Sequence, residues 1–185
     1  MTRLAATIGD RAALDIYKFL LEHTVQVTKS VKAVKQVFYS EEIGKEDIWD
    51  PKVYDKKLQS GAHLGLRMRN AFETGFSEGF QRIVLLGSDL YDLQTEDIET
   101  AFSALKTNDF VLGPAQDGGY YLIGSRFLKE ELFEDKVWGT ATVLEDTLSD
   151  LKGESVFLLP ERNDVDVYED IAGVDAFQKF LLHIK

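Results

Sequence analysis

Short apolar runs alternate along this chain with segments whose apolar residues recur at helical spacing. The clearest run is Ile83-Val84-Leu85-Leu86, which is bounded by polar residues and glycine. Continuous runs of this length are typical of strands buried on both faces, as in a parallel sheet. Apolar residues three and four positions apart predict amphipathic helices between the runs. This order predicts an α/β protein, a three-layer sandwich with helices around a mostly parallel sheet.

The boundaries of the predicted elements follow from the same periodicity. Strands are predicted over residues 31–39, 83–86, 110–112, 120–123 and 155–159. Helical faces are predicted within residues 13–24, 64–75, 98–105, 143–151 and 177–184, the last of which includes Ile184. Residues 41–57 are rich in charge and predict an exposed loop. A length of 185 residues suits one domain, so residues 1–185 are predicted to form a single unit.

Charge and composition exclude several classes of protein. The net charge is −11, from 32 acidic and 21 basic residues, and this argues against nucleic-acid partners and anionic membranes. The chain has no cysteine, which excludes disulfides, thiolate zinc sites and cysteine nucleophiles. No apolar run approaches the roughly 20 residues of a membrane span, and the first ten residues contain no signal-peptide core. We expect a cytoplasmic protein without a membrane or nucleic-acid partner.

Aspartates follow three of the predicted strands. Asp89 comes after residues 83–86, Asp117 after residues 110–112, and Asp164 with Asp166 after residues 155–159. Ligands of open α/β sheets bind beyond the carboxyl ends of the strands. Clustered carboxylates repel each other unless a cation joins them, and Mg²⁺ or Mn²⁺ commonly binds carboxylates together with substrate phosphates. The pattern predicts such a metal site, although each aspartate alone could simply form a turn or cap a helix.

The pair Gly118-Gly119 stands directly before a predicted strand. Glycine allows a ligand to approach the backbone closely, but it equally allows a tight turn between two strands. The sequence lacks the P-loop, the dinucleotide-binding glycine motif, the nucleophile elbow and the H-E-x-x-H zinc motif. With no cysteine and no histidine–carboxylate motif, the sequence also argues against a nucleophilic catalytic triad.

Several motifs together resemble a family of small bacterial glycosyltransferase-like proteins with the GT-A fold. Some members are named for arsenosugar biosynthesis, and the family is related to the guanylyl- and cytidylyltransferases. The resemblance runs from residue 2 to about residue 171. It is carried by Thr2-Arg3-Leu4-Ala5, Gln59 to Met68, Gly87-Ser88-Asp89, Gly113 to Gly124, Trp138-Gly139-Thr140, Asp164-Val165-Asp166 and Glu169-Asp170. The block from Gly113 to Gly124 is the most specific of these.

The resemblance implies a metal and phosphate site. Asp89 stands where these folds place a metal-coordinating, catalytic carboxylate beside the nucleotide phosphates. Asp166 matches a late aspartate that often supplies a second ligand to Mg²⁺ or Mn²⁺. Arg3 matches an arginine next to the phosphates, where it would stabilise charge on a diphosphate leaving group.

The same resemblance implies a pocket for the sugar or the acceptor. Asp117, Gly118 and Gly119 match the loop that lines it, with Asp117 as a second catalytic carboxylate and Tyr120 as a substrate contact. The implied activity is that of a metal-dependent transferase with a nucleotide-activated donor and a small-molecule acceptor. The donor could be a nucleotide sugar, for glycosyl transfer, or a nucleoside triphosphate, for nucleotidyl transfer.

One departure from the family concerns the amino end. Family members carry a further, central strand before the Thr2-Arg3-Leu4 segment, then a phosphate-binding turn that ends in lysine, whose place is taken here by Met1. We therefore expect a domain short at its N-terminus, with two buried strand edges left unpaired. A misplaced start, a truncated chain or an adapted fold would each explain this. Two other interpretations follow: a catalytically inactive relative that acts as a binding or scaffold module, or a homodimer that borrows a strand.

Overall fold

The computed structural model describes residues 2–182, so Met1 and Ile184 lie outside the described residues. The helices are α1 (Thr2–Ile8), α2 (Asp10–Lys29), α3 (Leu64–Ser77), α4 (Thr95–Ala104), α5 (Val143–Asp150), α6 (Glu169–Ala172) and α7 (Asp175–Leu181), with a 3₁₀ helix at Glu130–Phe133. The strands are β1 (Lys35–Tyr39), β2 (Tyr54–Leu58), β3 (Ile83–Leu86), β4 (Phe110–Pro114), β5 (Tyr120–Ser125) and β6 (Val156–Leu158). The predicted α/β class is confirmed.

The larger sheet has four strands in the order β3-β5-β4-β6. Strand β5 is antiparallel to both of its neighbours, while β4 and β6 are parallel. Strands β3, β4 and β6 therefore share one direction and β5 alone opposes them, so the sheet is mixed, with one parallel and two antiparallel pairings. Since β4 and β5 form a hairpin, the segment between them must turn tightly at the same edge where β3 and β6 end.

Helices cover both faces of this sheet, which gives the three-layer arrangement. Alternate residues of β4 point to opposite faces, as strand geometry requires. Val111 packs with Ile98 of α4 in one buried cluster. Leu112 packs with Phe72 of α3 in another. A third cluster joins α1, α2 and α7 around Ile16.

Four short elements were not predicted from the sequence: helices α1 and α6, the 3₁₀ helix at Glu130–Phe133 and strand β2. Helix α1 is short and buries only Leu4 and Ile8, one turn apart, so its periodicity is too brief to be recognised. Strand β2 lies inside the segment that was expected to be an exposed loop. Its sequence, Tyr-Asp-Lys-Lys-Leu, has no apolar alternation, and it forms because it pairs in parallel with β1 and because Tyr54 is buried.

The small parallel pair β1 and β2 is a sheet of its own. Within residues 2–182, β1 has only β2 as a strand neighbour and β3 has only β5. Strand β3 is covered on both faces, since Ile83 packs toward α3 and Val84 toward α4. All four of its residues nevertheless remain partly exposed, because one edge of the strand is open.

Across the same residues 2–182, no helix has both the length and the apolar character needed to cross a bilayer. The long helix α2 carries charges along one side and buries Ala13, Ile16, Leu20 and Thr24 on the other. This face lies within the predicted helical segment 13–24. Tyr17 shares the apolar spacing of that segment but is 38% exposed.

Candidate functional site

A cavity of about 900 Å³ opens at the carboxyl ends of β3 and β4. Its wall contains most of the residues to which the sequence assigned a function. These are Arg3, Asp89, Asp117, Gly119, Tyr120 and Asp166, together with Asp164. Gly118 is the exception: it lies in the turn beside this wall and is not itself part of it. As expected for residues that follow the carboxyl ends of strands, the predicted aspartates therefore lie in a single cavity.

The loop after β3 is held against the loop after β6. Leu90 and Asp164 form an antiparallel bridge, and the Val165 N–H donates to the Asp89 carbonyl at 2.9 Å. Gly87 keeps the turn open for the Asp89 carboxylate, because a Cβ atom at Gly87 would lie 2.7 Å from Asp89 Oδ1. Backbone pairing therefore brings Asp89 and Asp164 together, and Asp166 follows two residues later.

Asp117 sits in the turn of the β4–β5 hairpin. Its Oδ1 accepts a 2.7 Å hydrogen bond from the Gly119 N–H, and the Gly118 N–H donates to the Ala115 carbonyl at 3.1 Å. These bonds fix the backbone and orient an otherwise exposed carboxylate. Gly118 and Gly119 thus form the tight turn that the sequence left open. This turn places Asp117 and Gly119 in the wall of the cavity.

We expect Gly118→Ala to lower the free energy of unfolding by at least about 2 kcal/mol. The φ of Gly118 is +87°, and a Cβ there would meet the Ala141 carbonyl oxygen at 2.3 Å. Gly139 is a matched control, with a φ of +82° and no atom within 4 Å of the position that a Cβ would take. Urea denaturation should show the larger loss for Gly118→Ala, and equal losses would contradict a role for the Ala141 contact.

Burial and neighbouring carboxylates raise the pKa of two aspartates in the cavity, Asp89 and Asp164. Burial raises the pKa of Asp89, and the charges of Asp166 and Asp117 add to this effect. Burial, with Asp117 and then Asp89 and Asp170 contributing, raises the pKa of Asp164 to about 6. Partly buried acids that repel each other favour a bound cation.

A pH series offers a direct check of the raised pKa of Asp164. Since the pKa of Asp164 rises from 3.8 to about 6 on folding, the folded state holds the extra proton between those values and loses stability as pH rises through 6. Asp164→Asn should therefore be more stable than the wild type at pH 7.5, by about 1–3 kcal/mol, and equally stable near pH 4. Equal stability of both proteins at pH 7.5, measured by urea denaturation, would contradict the raised pKa of Asp164.

Arg3 and Asp166 form an ion pair of 2.9 Å, with their side chains 65% and 31% exposed. Asp170 holds the backbone beside it, because its Oδ2 accepts from the N–H groups of Asp166 and Val167. The predicted phosphate-binding arginine and the predicted second metal ligand thus share one part of the wall, near Asp89.

The carboxylates in the cavity suit a metal ion that also takes ligands from a bound substrate. Among residues 2–182, no group of three or more histidine, cysteine, aspartate or glutamate side chains forms a ready coordination shell. Asp89 and Asp166 nevertheless lie close enough for the charge of Asp166 to raise the pKa of Asp89. Mg²⁺ is commonly held by one or two carboxylates plus phosphate oxygens and water, so two carboxylates are enough.

Asp97 and Arg162 were not singled out from the sequence. Nη2 of Arg162 donates to both carboxylate oxygens of Asp97, at 2.9 and 3.0 Å, and Asp97 is buried. Asp97 Oδ2 also accepts from the Gln94 N–H, as in a capping box. The only signal in the sequence was the Gln94-x-x-Asp97 spacing, which is typical of a helix start.

Arg162 also ties the strand ends together through its backbone. Its N–H donates to the Pro114 carbonyl and its carbonyl accepts from the Gln116 N–H, both at 3.0 Å. The ion pair with Asp97 therefore anchors the loops that carry Asp117 and Asp164 onto helix α4.

Comparison with solved structures defines the class of fold. The crystal structure of a "putative nucleotide-diphospho-sugar transferase" from Desulfovibrio desulfuricans G20 is similar over 90% of this chain and 75% of that one, with 31% identity and a TM-score of 0.80. A homologue of Mycobacterium tuberculosis Rv0371c from Mycobacterium sp. strain JC1 is similar over 88% and 83%, with 16% identity and a TM-score of 0.56, which shows the fold alone. The fold is that of a nucleotide-diphospho-sugar-transferase-like α/β protein.

The chain belongs to the family described as "Uncharacterized protein conserved in bacteria (DUF2064)", whose model matches residues 23–140. No curated protein matches it. The predicted membership in a bacterial GT-A-like, glycosyltransferase-like family is confirmed by this match together with the Desulfovibrio structure.

Proposed function

We propose that this protein is a metal-dependent transferase that uses a nucleotide-activated donor, with a nucleotide sugar as the first candidate. The observation that carries the proposal is the pairing of the loops after β3 and β6, which brings Asp89 and Asp164 together in one cavity. The Desulfovibrio structure, named for nucleotide-diphospho-sugar transfer, supports the choice of donor. A nucleoside triphosphate donor would use the same metal and phosphate arrangement.

In this proposal Asp89 and Asp166 hold Mg²⁺ or Mn²⁺. The bound ion supplies charge neutralisation to the donor phosphates and to the diphosphate leaving group. Arg3 exchanges part of its contact with Asp166 for phosphate oxygens, which its guanidinium binds well.

Asp117 orients the acceptor in the same proposal. Its Oδ1 is engaged by the Gly119 N–H, so Oδ2 is the oxygen that would take the proton of an acceptor hydroxyl. Tyr120 and Gly119, which line the cavity next to Asp117, would contact the transferred group.

A thermal-shift panel tests the donor class. Purified protein would be heated with Mn²⁺ and, in turn, with nucleotide sugars and nucleoside triphosphates. A ligand at 100 times its Kd adds about 2.7 kcal/mol. For a chain of this size that stabilisation corresponds to a rise in Tm of roughly 5–10 °C. Nucleosides without phosphates and samples with EDTA are the controls. A folded protein whose Tm responds to no nucleotide would contradict the proposal.

The strands form two separate sheets, which favours a second candidate function. In this alternative the protein is a catalytically inactive relative that serves as a binding or scaffold module. In that case nucleotides bind weakly or not at all, and Asp89→Asn changes nothing. Turnover of a nucleotide sugar by this chain, lost on Asp89→Asn, would exclude it.

A further inference from the structure

Arg67 differs from the other partly buried arginines in the described part of the chain. Within residues 2–182 the partly buried arginines are Arg67, Arg69 and Arg162. Arg69 contacts two glutamates, and Arg162 contacts Asp97. Arg67 forms no ion pair with any residue in this range. Because charges taken out of water are normally paired, an arginine without a carboxylate partner points to an anionic ligand.

Two neutral acceptors hold the Arg67 guanidinium in place. Nε donates to the Gly61 carbonyl, and Nη1 donates to Oε1 of Gln59, both at 3.1 Å. Gln59 and Gly61 follow the end of β2, and the Arg67 side chain lines the cavity. A guanidinium has five N–H groups, so most of its donors remain available to a ligand. The Arg67 side chain is thus oriented by the protein but is not neutralised by any residue of 2–182.

A series of packing contacts connects Arg67 with the turn that carries Asp117. Gly65, two residues before Arg67 in α3, packs so closely on Trp138 that a Cβ atom at Gly65 would lie 2.7 Å from the indole Nε1. Trp138 lines the cavity, and three residues later Ala141 packs against the β4–β5 turn. The start of α3 therefore adjoins the part of the cavity that was predicted to hold the sugar or the acceptor.

The donor phosphates are assigned to a different part of the wall. Arg3 pairs with Asp166 there, near Asp89 and on loops of the larger sheet, whereas Arg67 is anchored at the end of β2 in the smaller sheet. A nucleoside has no negative charge apart from its phosphates. An anion at Arg67 would therefore belong to the transferred sugar or to the acceptor.

We propose that Arg67 binds a carboxylate or phosphate group on the sugar or the acceptor, so that this transferase selects an acidic substrate. The inference rests on the proposed function and adds the chemical class of the substrate to it. A guanidinium forms strong, charge-assisted hydrogen bonds with either kind of group. Arg67 determines specificity here and has no part in the chemical step. A neutral substrate would leave its charge partly out of water without a partner, which is how a polar site rejects a ligand that lacks the matching group.

Matched ligands that differ by one acidic group test the proposal. The sugar arm compares UDP-glucuronate with UDP-glucose, and GDP-mannuronate with GDP-mannose, in the presence of Mn²⁺. The acceptor arm compares glycerate and glycerol phosphate with glycerol, in the presence of Mn²⁺ and either UDP or GDP. Calorimetry measures each affinity. We expect the acidic ligand to bind about 10- to 100-fold more tightly in one of the arms, the range for hydrogen bonds to charged groups. The arm that shows this preference identifies the source of the acidic group.

Two variants assign the preference to Arg67. Arg67→Gln removes the charge and keeps an amide donor for the Gly61 carbonyl, so it should abolish the preference and leave the affinity for the neutral ligand unchanged. Arg69→Gln is the matched control, two residues further along α3, where the carboxylates of Glu130 and Glu134 neutralise the arginine. It should keep the preference. The comparison of acidic with neutral ligands in the wild type tests the proposal even if Arg67→Gln does not fold.

Three results would overturn the proposal. The first is the absence of tighter binding by the acidic ligand in both arms. The second is a preference that Arg67→Gln keeps, because another group would then bind the acid. The third is an equal loss of affinity for acidic and neutral ligands in Arg67→Gln, which would mean that Arg67 supports the donor site as a whole. If nucleotide sugars bind but the acidic group makes no difference, only this inference fails. If no nucleotide sugar or nucleotide binds at all, the proposed function fails with it.

Discussion

Asp97→Ala should lower the free energy of unfolding by about 3–5 kcal/mol, the usual loss when one partner of a buried ion pair is removed. Asp97 is buried, and its carboxylate accepts from Arg162 at two oxygens and from the Gln94 N–H. Alanine leaves the Arg162 guanidinium, only 25% exposed, without its anion. Urea denaturation followed by circular dichroism measures the change.

Asp97→Asn and Glu96→Ala give the matched comparisons. Asparagine keeps an acceptor for the Gln94 N–H but removes the charge, so its loss should be intermediate. Glu96 is an exposed neighbour in the first turn of α4, and its removal should change stability by less than about 0.5 kcal/mol. A loss below about 1 kcal/mol for Asp97→Ala would mean that the strand-end loops do not depend on this pair.

Asp89→Asn should weaken Mn²⁺-dependent nucleotide binding by more than roughly 100-fold. Loss of a residue that only orients a metal ligand typically costs about 10- to 100-fold in affinity, so loss of the ligand itself should cost more. The folded protein itself should not lose stability, because burial and the charges of Asp166 and Asp117 already disfavour the ionised form of Asp89. Titration of the nucleotide, followed by calorimetry in the presence of Mn²⁺, measures the affinity.

Asp92→Asn is the control for that substitution. Asp92 lies three residues further along and accepts from the Asn163 N–H, an interaction that asparagine can keep. Its substitution should change nucleotide affinity by less than about threefold, within ordinary surface effects. An equal loss of nucleotide affinity in both variants would show that binding depends on the loop as a whole and not on the Asp89 carboxylate.

The sequence predicted those parts of the fold that depend on local pattern. The run from Ile83 to Leu86 is strand β3, and the apolar face of α2 is buried at Ile16 and Leu20. The aspartates after β3, β4 and β6 meet in one cavity because strands of the same direction end at the same edge. The common direction of these strands was sufficient to predict that the aspartates lie together, and no side-chain contact had to be known.

Features that depend on long-range pairing could not be predicted in this way. Strand β2 is defined by its partner β1, since its charged sequence carries no β signal. The contact between Arg162 and Asp97 joins residues 65 positions apart, and neither residue belongs to a recognisable motif for such a pair. The direction of β5, opposite to its neighbours, follows from the short turn after β4, which leaves no room for a crossover helix.

In the proposed function, Asp89 and the donor phosphates share a metal ion. Electron paramagnetic resonance of Mn²⁺ tests it most directly, because free Mn²⁺ can be counted with and without a nucleotide sugar. If the ion bridges the protein and the phosphates, Mn²⁺ and the nucleotide sugar must each increase the affinity of the protein for the other by the same factor. We predict that the nucleotide sugar increases Mn²⁺ affinity at least 10-fold in the wild type and has no such effect in Asp89→Asn. Mn²⁺ affinity that is equal in both proteins, and unchanged by the nucleotide sugar, would contradict a shared metal ion.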